Sequence, residues 1–132
     1  MKYLLDTNTC IYYINGKSSQ LSKRFNTLSA GEAVVCSVVK AELFFGALRS
    51  QNPPKNLNNQ RQFLALFSSL PFDDNAAEHY ANIRADLVTK GMPIGSNDFF
   101  IAAIARANGL ILVTSNTREF SRVPNLICED WL

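Results

Sequence analysis

Tyr3, Leu4 and Leu5 form a short apolar run that stops abruptly at Asp6. Two further apolar runs of this kind lie at 33–36 and 110–113, and the chain between the three carries helical periodicity. Apolar runs this short, bounded by turn-forming residues, read as strands buried on both faces. Buried strands that alternate with helices pair in parallel and are joined by right-handed crossovers. The predicted fold is therefore a three-layer α/β/α sandwich on a short-stranded parallel sheet of four or five strands. All 132 residues form one expected domain, 1–132, long enough to bury a sizeable core.

The helices are placed by their caps. A short helix is predicted over 10–14, ended by Asn15-Gly16, and a second runs from a Ser18 cap to about Leu28. Ser37 is read as the cap of a helix over 38–49. Gln51-Asn52-Pro53-Pro54 is a break, and a helix over 57–69 follows it. Leu70-Pro71-Phe72 suggests a small edge strand. Asp74 is expected to cap a helix over 76–90 closed by Gly91, and Ser96 one over 97–108 closed by Gly109. Ser115-Asn116-Thr117 reads as a turn, 118–120 as a helical turn and 126–128 as a last strand.

Bulk chemistry removes several functions. No apolar run could span a bilayer and no leader-peptide pattern is present, so no membrane partner and a cytoplasmic location are expected. Thirteen Lys and Arg against 11 Asp and Glu give +2, a balance that neither announces nor excludes a nucleic-acid partner. Cys10, Cys36 and Cys128 form no C-x-x-C pair and His79 is the one histidine, which speaks against zinc. The thiols read as buried and reduced.

Three acids carry the chemistry. Asp6 ends the first strand, and in open α/β sheets ligand sites lie outside the strands' C-terminal ends. Its bland reading is a helix cap, but Asn8 and Thr9 could cap instead. Glu42 shares a helical face with Val38, Val39, Phe45 and Gly46, an apolar setting that an unpaired carboxylate enters only at a cost. The alternative is that it snorkels, or pairs with Lys40 or Arg49. Asp98 lies on the face of Ile101, Ala102 and Ala105 in the first turn of its helix, where an acid also suits the helix dipole. A crossover helix runs antiparallel to the strands, so Asp98 arrives at the sheet edge that holds Asp6. Carboxylates gathered there repel one another until a cation neutralises them, and oxygen-only ligation favours Mg2+ or Mn2+. Such an ion can activate water for attack at phosphorus. Asn116 falls at the same edge and could supply a neutral oxygen. Thr7, Ser37 and Thr114 read as caps or as supports for the acids.

The residues now quoted resemble a known family. LLDTN at 4–8, SVVKAELFFGA at 37–47, PIGSNDFFIAAIA at 93–105, LVTSNTREFSRVPNL at 112–126 and EDW at 129–131 are similar, in order, to PIN domains, and most closely to VapC toxins of bacterial toxin–antitoxin pairs. The resemblance implies a PIN-like fold and a Mg2+- or Mn2+-dependent endoribonuclease that cuts structured RNA. The family acids carry over onto Asp6, Glu42 and Asp98. The family often has a fourth acid where this chain has Asn116, a departure for which the neighbouring Glu119 could compensate. It also implies a homodimer and a cognate VapB-like antitoxin covering the groove, for which Tyr12, Tyr13, Phe44 and Leu48 are candidate contacts. Lys17, Lys23, Arg24, Arg49, Arg84, Arg118 and Arg122 could meet RNA phosphates, with Arg118 and Arg122 best placed after Asn116. Two rivals stand beside this reading. A phosphatase using Asp6 as nucleophile lacks its second acid, since Asn8 stands there. A catalytically inactive PIN-like module binding RNA or protein is kept alive by Asn116.

Overall fold

The computed structural model describes residues 1–132. Five strands form one parallel sheet in the order β3-β2-β1-β4-β5. They are β1 (Tyr3–Leu5), β2 (Ala33–Cys36), β3 (Ser69–Leu70), β4 (Ile111–Val113) and β5 (Cys128–Glu129). β1 lies at the centre, with Leu4 opposite Val34 on one side and Leu112 on the other. All three of its side chains are buried, as a strand covered on both faces requires.

Seven helices connect the strands: α1 (Thr7–Ile14), α2 (Ser19–Asn26), α3 (Ser37–Leu48), α4 (Pro53–Leu64), α5 (Asp74–Thr89), α6 (Ser96–Ala107) and α7 (Thr117–Phe120). The chain moves from β1 toward the β3 edge, then returns across the sheet to β4. Right-handed crossovers therefore put α1–α4 on one face and α5 and α6 on the other. The reversal leaves a crevice outside the C-terminal ends of β1 and β4, where Asp6 emerges. Leu4, Leu112, Ile101, Ile104 and Phe120 are fully buried between the layers.

The helix ends are built from local chemistry. Gly91 and Gly109 take φ of +67° and +64°, and the amides of Met92 and Leu110 reach back to the carbonyls of Leu87 and Ala105. This is the left-handed closure that glycine permits and that both glycines predict.

Several boundaries differ from the sequence reading, each for a local reason. α1 begins at Thr7, not at residue 10, because Asp6 itself is the N-cap: its Oδ1 accepts from the Thr7 amide at 2.8 Å. Thr9 is consequently inside the helix, donating to the Val113 carbonyl at 3.2 Å. α2 stops at Asn26, two residues short of the expected end. Ser37 and Ser96 are first helical residues and not caps; Cys36 and Gly95 hold the cap positions without side-chain bonds. Asn52 caps α4, with Pro53 and Pro54 in the first turn, where a missing N–H costs nothing. That helix therefore starts and ends earlier than expected. Asp73 caps α5 in place of Asp74, accepting from the Ala76 amide at 2.9 Å. The last strand is 128–129, displaced from the predicted 126–128 by Asn125 at φ 62°.

Candidate active site

The crevice at the strand ends gathers four acids. Asp6 is 5% exposed, and its two oxygens are held from different elements. Oδ1 takes the Thr7 amide, and Oδ2 takes the buried Thr114 hydroxyl at 2.7 Å. Burial pushes the Asp6 carboxyl above its ordinary value, the Thr114 and Thr7 donors pull it down, and the Glu42 charge raises it further. Asp6 thus has both proposed natures: it caps a helix, and it stands among other acids.

Glu42 is half-buried on α3 and makes no pair with Lys40 or Arg49. Thr7 Oγ1 donates to its Oε1 at 2.6 Å, and Asn97 Nδ2 to its Oε2 at 3.4 Å. The apolar face expected to bury it does not close. Phe45 is 61% exposed, and Val38, Ala41, Phe45 and Gly46 line an open groove with Glu42, Phe72 and Phe100. The groove's volume is about 970 Å3. The carboxylate is therefore placed beside an apolar surface without the full cost of burial, although Val39 of the same stripe is fully buried.

Asp98 is the acid that the fold leaves without a hydrogen bond, since no backbone or side-chain group donates to it. Its neighbours Ile101, Ala102 and Ala105 are fully buried, as predicted. Burial, and then the charges of Asp6, Glu42 and Glu119, push its carboxyl up to about 6. The three acids that act on it show which residues converge. Gly95 makes the room, because a Cβ there would stand 2.9 Å from Asp98 Oδ2.

Asn116 follows β4 at the same edge. Its backbone amide donates to Thr114 Oγ1 and its side-chain amide to Glu119 Oε2, each at 3.0 Å. The position that lacks an acid thus ties one down three residues later. Ser37 is exposed on the groove wall and touches none of the acids by hydrogen bond.

The donor chemistry suits a hard divalent cation. Four carboxylates and no imidazole face the crevice, since His79 is engaged by Arg106 Nε at 2.9 Å. The nearby thiols are held protonated, Cys10 far above its ordinary value and Cys36 up to about 11, both mainly by burial. As the side chains stand, no three His, Cys, Asp or Glu groups already enclose a metal position. Asp6, Glu42 and Glu119 are turned toward the protein donors just named, and ligation would exchange some of those bonds.

The raised Asp98 pKa has a consequence for metal-free protein. The folded state holds this proton more tightly than the unfolded chain, so stability present at low pH is lost as pH rises through about 6. Asp6 acts in the same direction. With chelator present, the thermal midpoint of Asp98→Asn should exceed that of the parent by a margin that grows between about pH 4 and pH 7. A constant margin would contradict the repulsion.

Other expected contacts are sorted by the tertiary structure. Tyr13 packs against Phe25 and Phe63 at 4.2 and 5.4 Å between ring centroids, and serves the core. Phe44 lies under Arg61, whereas Tyr12 and Leu48 are exposed. Arg122 donates to the Pro93 carbonyl at 3.1 Å, holding α7 to the loop before α6. Arg24 stacks on Trp131 and Arg84 on Phe99, while Arg118 is exposed. Arg49, named among the basic residues but ranked below Arg118 and Arg122, is the one of them that lines the groove, stacked over Phe45. Asn97 and Gly95 were missed altogether. Adjacency to Asp98 at a helix start was the available signal for both.

Comparison with known proteins bears on the family. The PIN domain family profile matches residues 3–126. The chain is 45% identical to the tRNA(fMet)-specific endonuclease VapC of Shigella flexneri, over 99% of this chain and 98% of that protein. It is 43% identical to Ribonuclease VapC2 of Haemophilus influenzae, over 100% of this chain and 99% of the relative. The crystal structure of DNA-bound VapBC from Salmonella typhimurium contains a chain that superposes with a TM-score of 0.94 at 41% identity, covering 100% of this chain and 99% of that one. VapBC2 from Rickettsia felis, bound to a DNA fragment from the promoter, gives 0.93 at 35% identity with complete coverage of both chains. A parallel sheet with acids gathered at its C-terminal edge, and likeness on this scale from end to end, place the chain in the PIN-domain family, among the VapC proteins.

Proposed function

We propose that this chain, acting through 1–132 as one PIN-like unit, is the endoribonuclease toxin of a VapBC-type pair, cutting a phosphodiester bond in structured RNA with Mg2+ or Mn2+. The observation that carries the reading is Asp98: it has no protein donor, and burial, with the charges of three other acids added, raises its carboxyl to about 6. Carboxyls raised in this way cluster at functional sites, and a divalent cation relieves the repulsion. Relatives named as VapC endonucleases and ribonucleases support the reaction class. Solved VapBC complexes support a VapB-like antitoxin as partner.

Asp6, Glu42 and Asp98 would hold the metal. A cation bound there supplies charge neutralisation and makes water more acidic at neutral pH. Asp6 is fixed by Thr7 and Thr114 and presents a rigid carboxylate. Asp98 is free to turn toward a ligand. Glu42, at the mouth of the groove, is held between Thr7 and Asn97. Asn116 orients Glu119, which brings the fourth carboxylate to the site. The antitoxin's covering segment and a second copy of the chain are the expected occupants of the exposed apolar surface. No helix is long and apolar enough to cross a membrane, and we place the toxin in the cytoplasm with its RNA.

Incubation of the purified chain with a total transfer-RNA pool tests the reading, with Mg2+, Mn2+ or EDTA and with Asp6→Asn beside the parent. Discrete fragments that need metal and vanish in the variant are expected. Absence of both cleavage and Mn2+ binding would favour the inactive binding module instead.

Asn116→Asp is expected to tighten Mn2+ binding, because it adds a carboxylate at the strand end. It should also lower the metal-free thermal midpoint, because Glu119 loses a donor and gains a like charge. Unchanged or weaker Mn2+ affinity by calorimetry would remove Asn116 from the site.

A further inference from the structure

We infer that the Thr7 hydroxyl is a positioning group for the reaction, setting the distance and orientation of Glu42 relative to Asp6. The inference rests on the acid-site reading above and goes beyond it in naming a residue that acts through another. Thr7 is the one residue that touches both acids: its amide donates to Asp6 Oδ1 at 2.8 Å and its hydroxyl to Glu42 Oε1 at 2.6 Å. It occupies the first position of α1, where the free amide belongs to the cap and the side chain is open to choice. The hydroxyl does not serve the helix. It crosses to α3, to a residue 35 positions away.

The physical case is one of fixed geometry among like charges. Asp6 and Glu42 are two carboxylates bridged by a single residue, and like charges so placed repel. A flexible glutamate beside an open groove would swing away from Asp6 into solvent. A hydroxyl donating to a charged acceptor is a strong hydrogen bond, and here it retains the carboxylate at the mouth of the site. Asn97, from α6, holds the other oxygen more loosely at 3.4 Å. Glu42 thus stands between donors from two helices, with the shorter and more buried bond on the Thr7 side.

The test uses the full chain with Mn2+ as probe, by calorimetry, and cleavage of the transfer-RNA pool. Thr7→Val keeps the shape and removes the donor; Thr7→Ser keeps the donor. Thr7→Val is expected to weaken Mn2+ binding and to slow cleavage by roughly tenfold or more, the scale of one hydrogen bond to a charged group. Thr7→Ser should recover both to within about threefold of the parent, since the donor is restored. In a Glu42→Ala background, where the acceptor is gone, the effect of Thr7→Val on Mn2+ affinity should largely disappear, because the two changes act on one interaction. If Thr7→Val does not fold, Thr7→Ala takes its place.

The inference is overturned if Thr7→Val matches the parent. It is also overturned if Thr7→Ser is as impaired as Thr7→Val, or if the valine effect persists undiminished without the Glu42 acceptor. Asp98→Asn is measured alongside. Should it too leave Mn2+ binding and cleavage untouched, the acid site has failed as a whole; a damaging Asp98→Asn with a silent Thr7→Val overturns the Thr7 role alone.

Discussion

Asp98→Asn should abolish RNA cleavage while leaving the metal-free protein as stable as the parent, or more so. The substitution is nearly isosteric, and no donor is orphaned, because none reaches Asp98 in the first place. It removes the carboxylate that Asp6, Glu42 and Glu119 all repel. The relief favours folding, and the loss of a charge weakens the hold on a divalent cation. A fall of at least about a thousandfold in cleavage is expected if metal placement is lost, since electrostatic stabilisation supplies the largest share of such barriers. The informative result is the pair of changes in opposite directions. Equal cleavage rates in variant and parent would refute the metal site, and a marked drop in stability would show that Asp98 holds the fold rather than the chemistry.

A second large effect lies outside the acids. Phe120→Ala should destabilise the chain by about 3–5 kcal/mol, the cost of emptying a buried aromatic site. Its side chain is fully buried, yet it belongs to a helix of four residues. So short a helix has little stability of its own and depends on that anchor. The same segment carries Asn116 and Glu119, whose hydrogen bond sits at the crevice. The thermal midpoint should drop by on the order of 10 °C. Below the midpoint, cleavage should fall further than the unfolded fraction explains, because α7 loosens before the sheet does. A midpoint within about 2 °C of the parent would mean that the pocket collapses around alanine and that Phe120 is not the anchor.

The two effects separate what the chain encodes locally from what it encodes at a distance. Tyr3–Leu5, Ala33–Cys36 and the helices between them follow from apolar periodicity, and the parallel order follows from their alternation. That topology alone brings Asp6 and Asp98 to one edge, so the core of the site was legible without coordinates. Helix starts were less legible, because capping is a competition among neighbours. Asp73 and Asp74, or Asp6 and Asn8, are equivalent as residue types, and backbone direction selects one.

The partners of the acids were legible only in part: Thr7 and Thr114 read as possible supports, but which acid each meets was not readable, and Asn97 did not stand out. Thr7 meets Glu42 across 35 positions, Asn97 meets it across 55, and Thr114 meets Asp6 across 108. Each depends on how two helices or strands cross. A periodic pattern reports which face is apolar, but it does not report whether a neighbour covers that face. Glu42 shows the difference: its stripe reads as apolar, and the packing of α3 beside α6 buries Val39 but leaves Val38, Phe45 and Gly46 as the wall of an open groove. The residues that could do chemistry are therefore written in the linear order of strands, helices and acids. Their restraint, exposure and charge are set by packing between elements, because hydrogen bonding and desolvation depend on distances that no local rule contains.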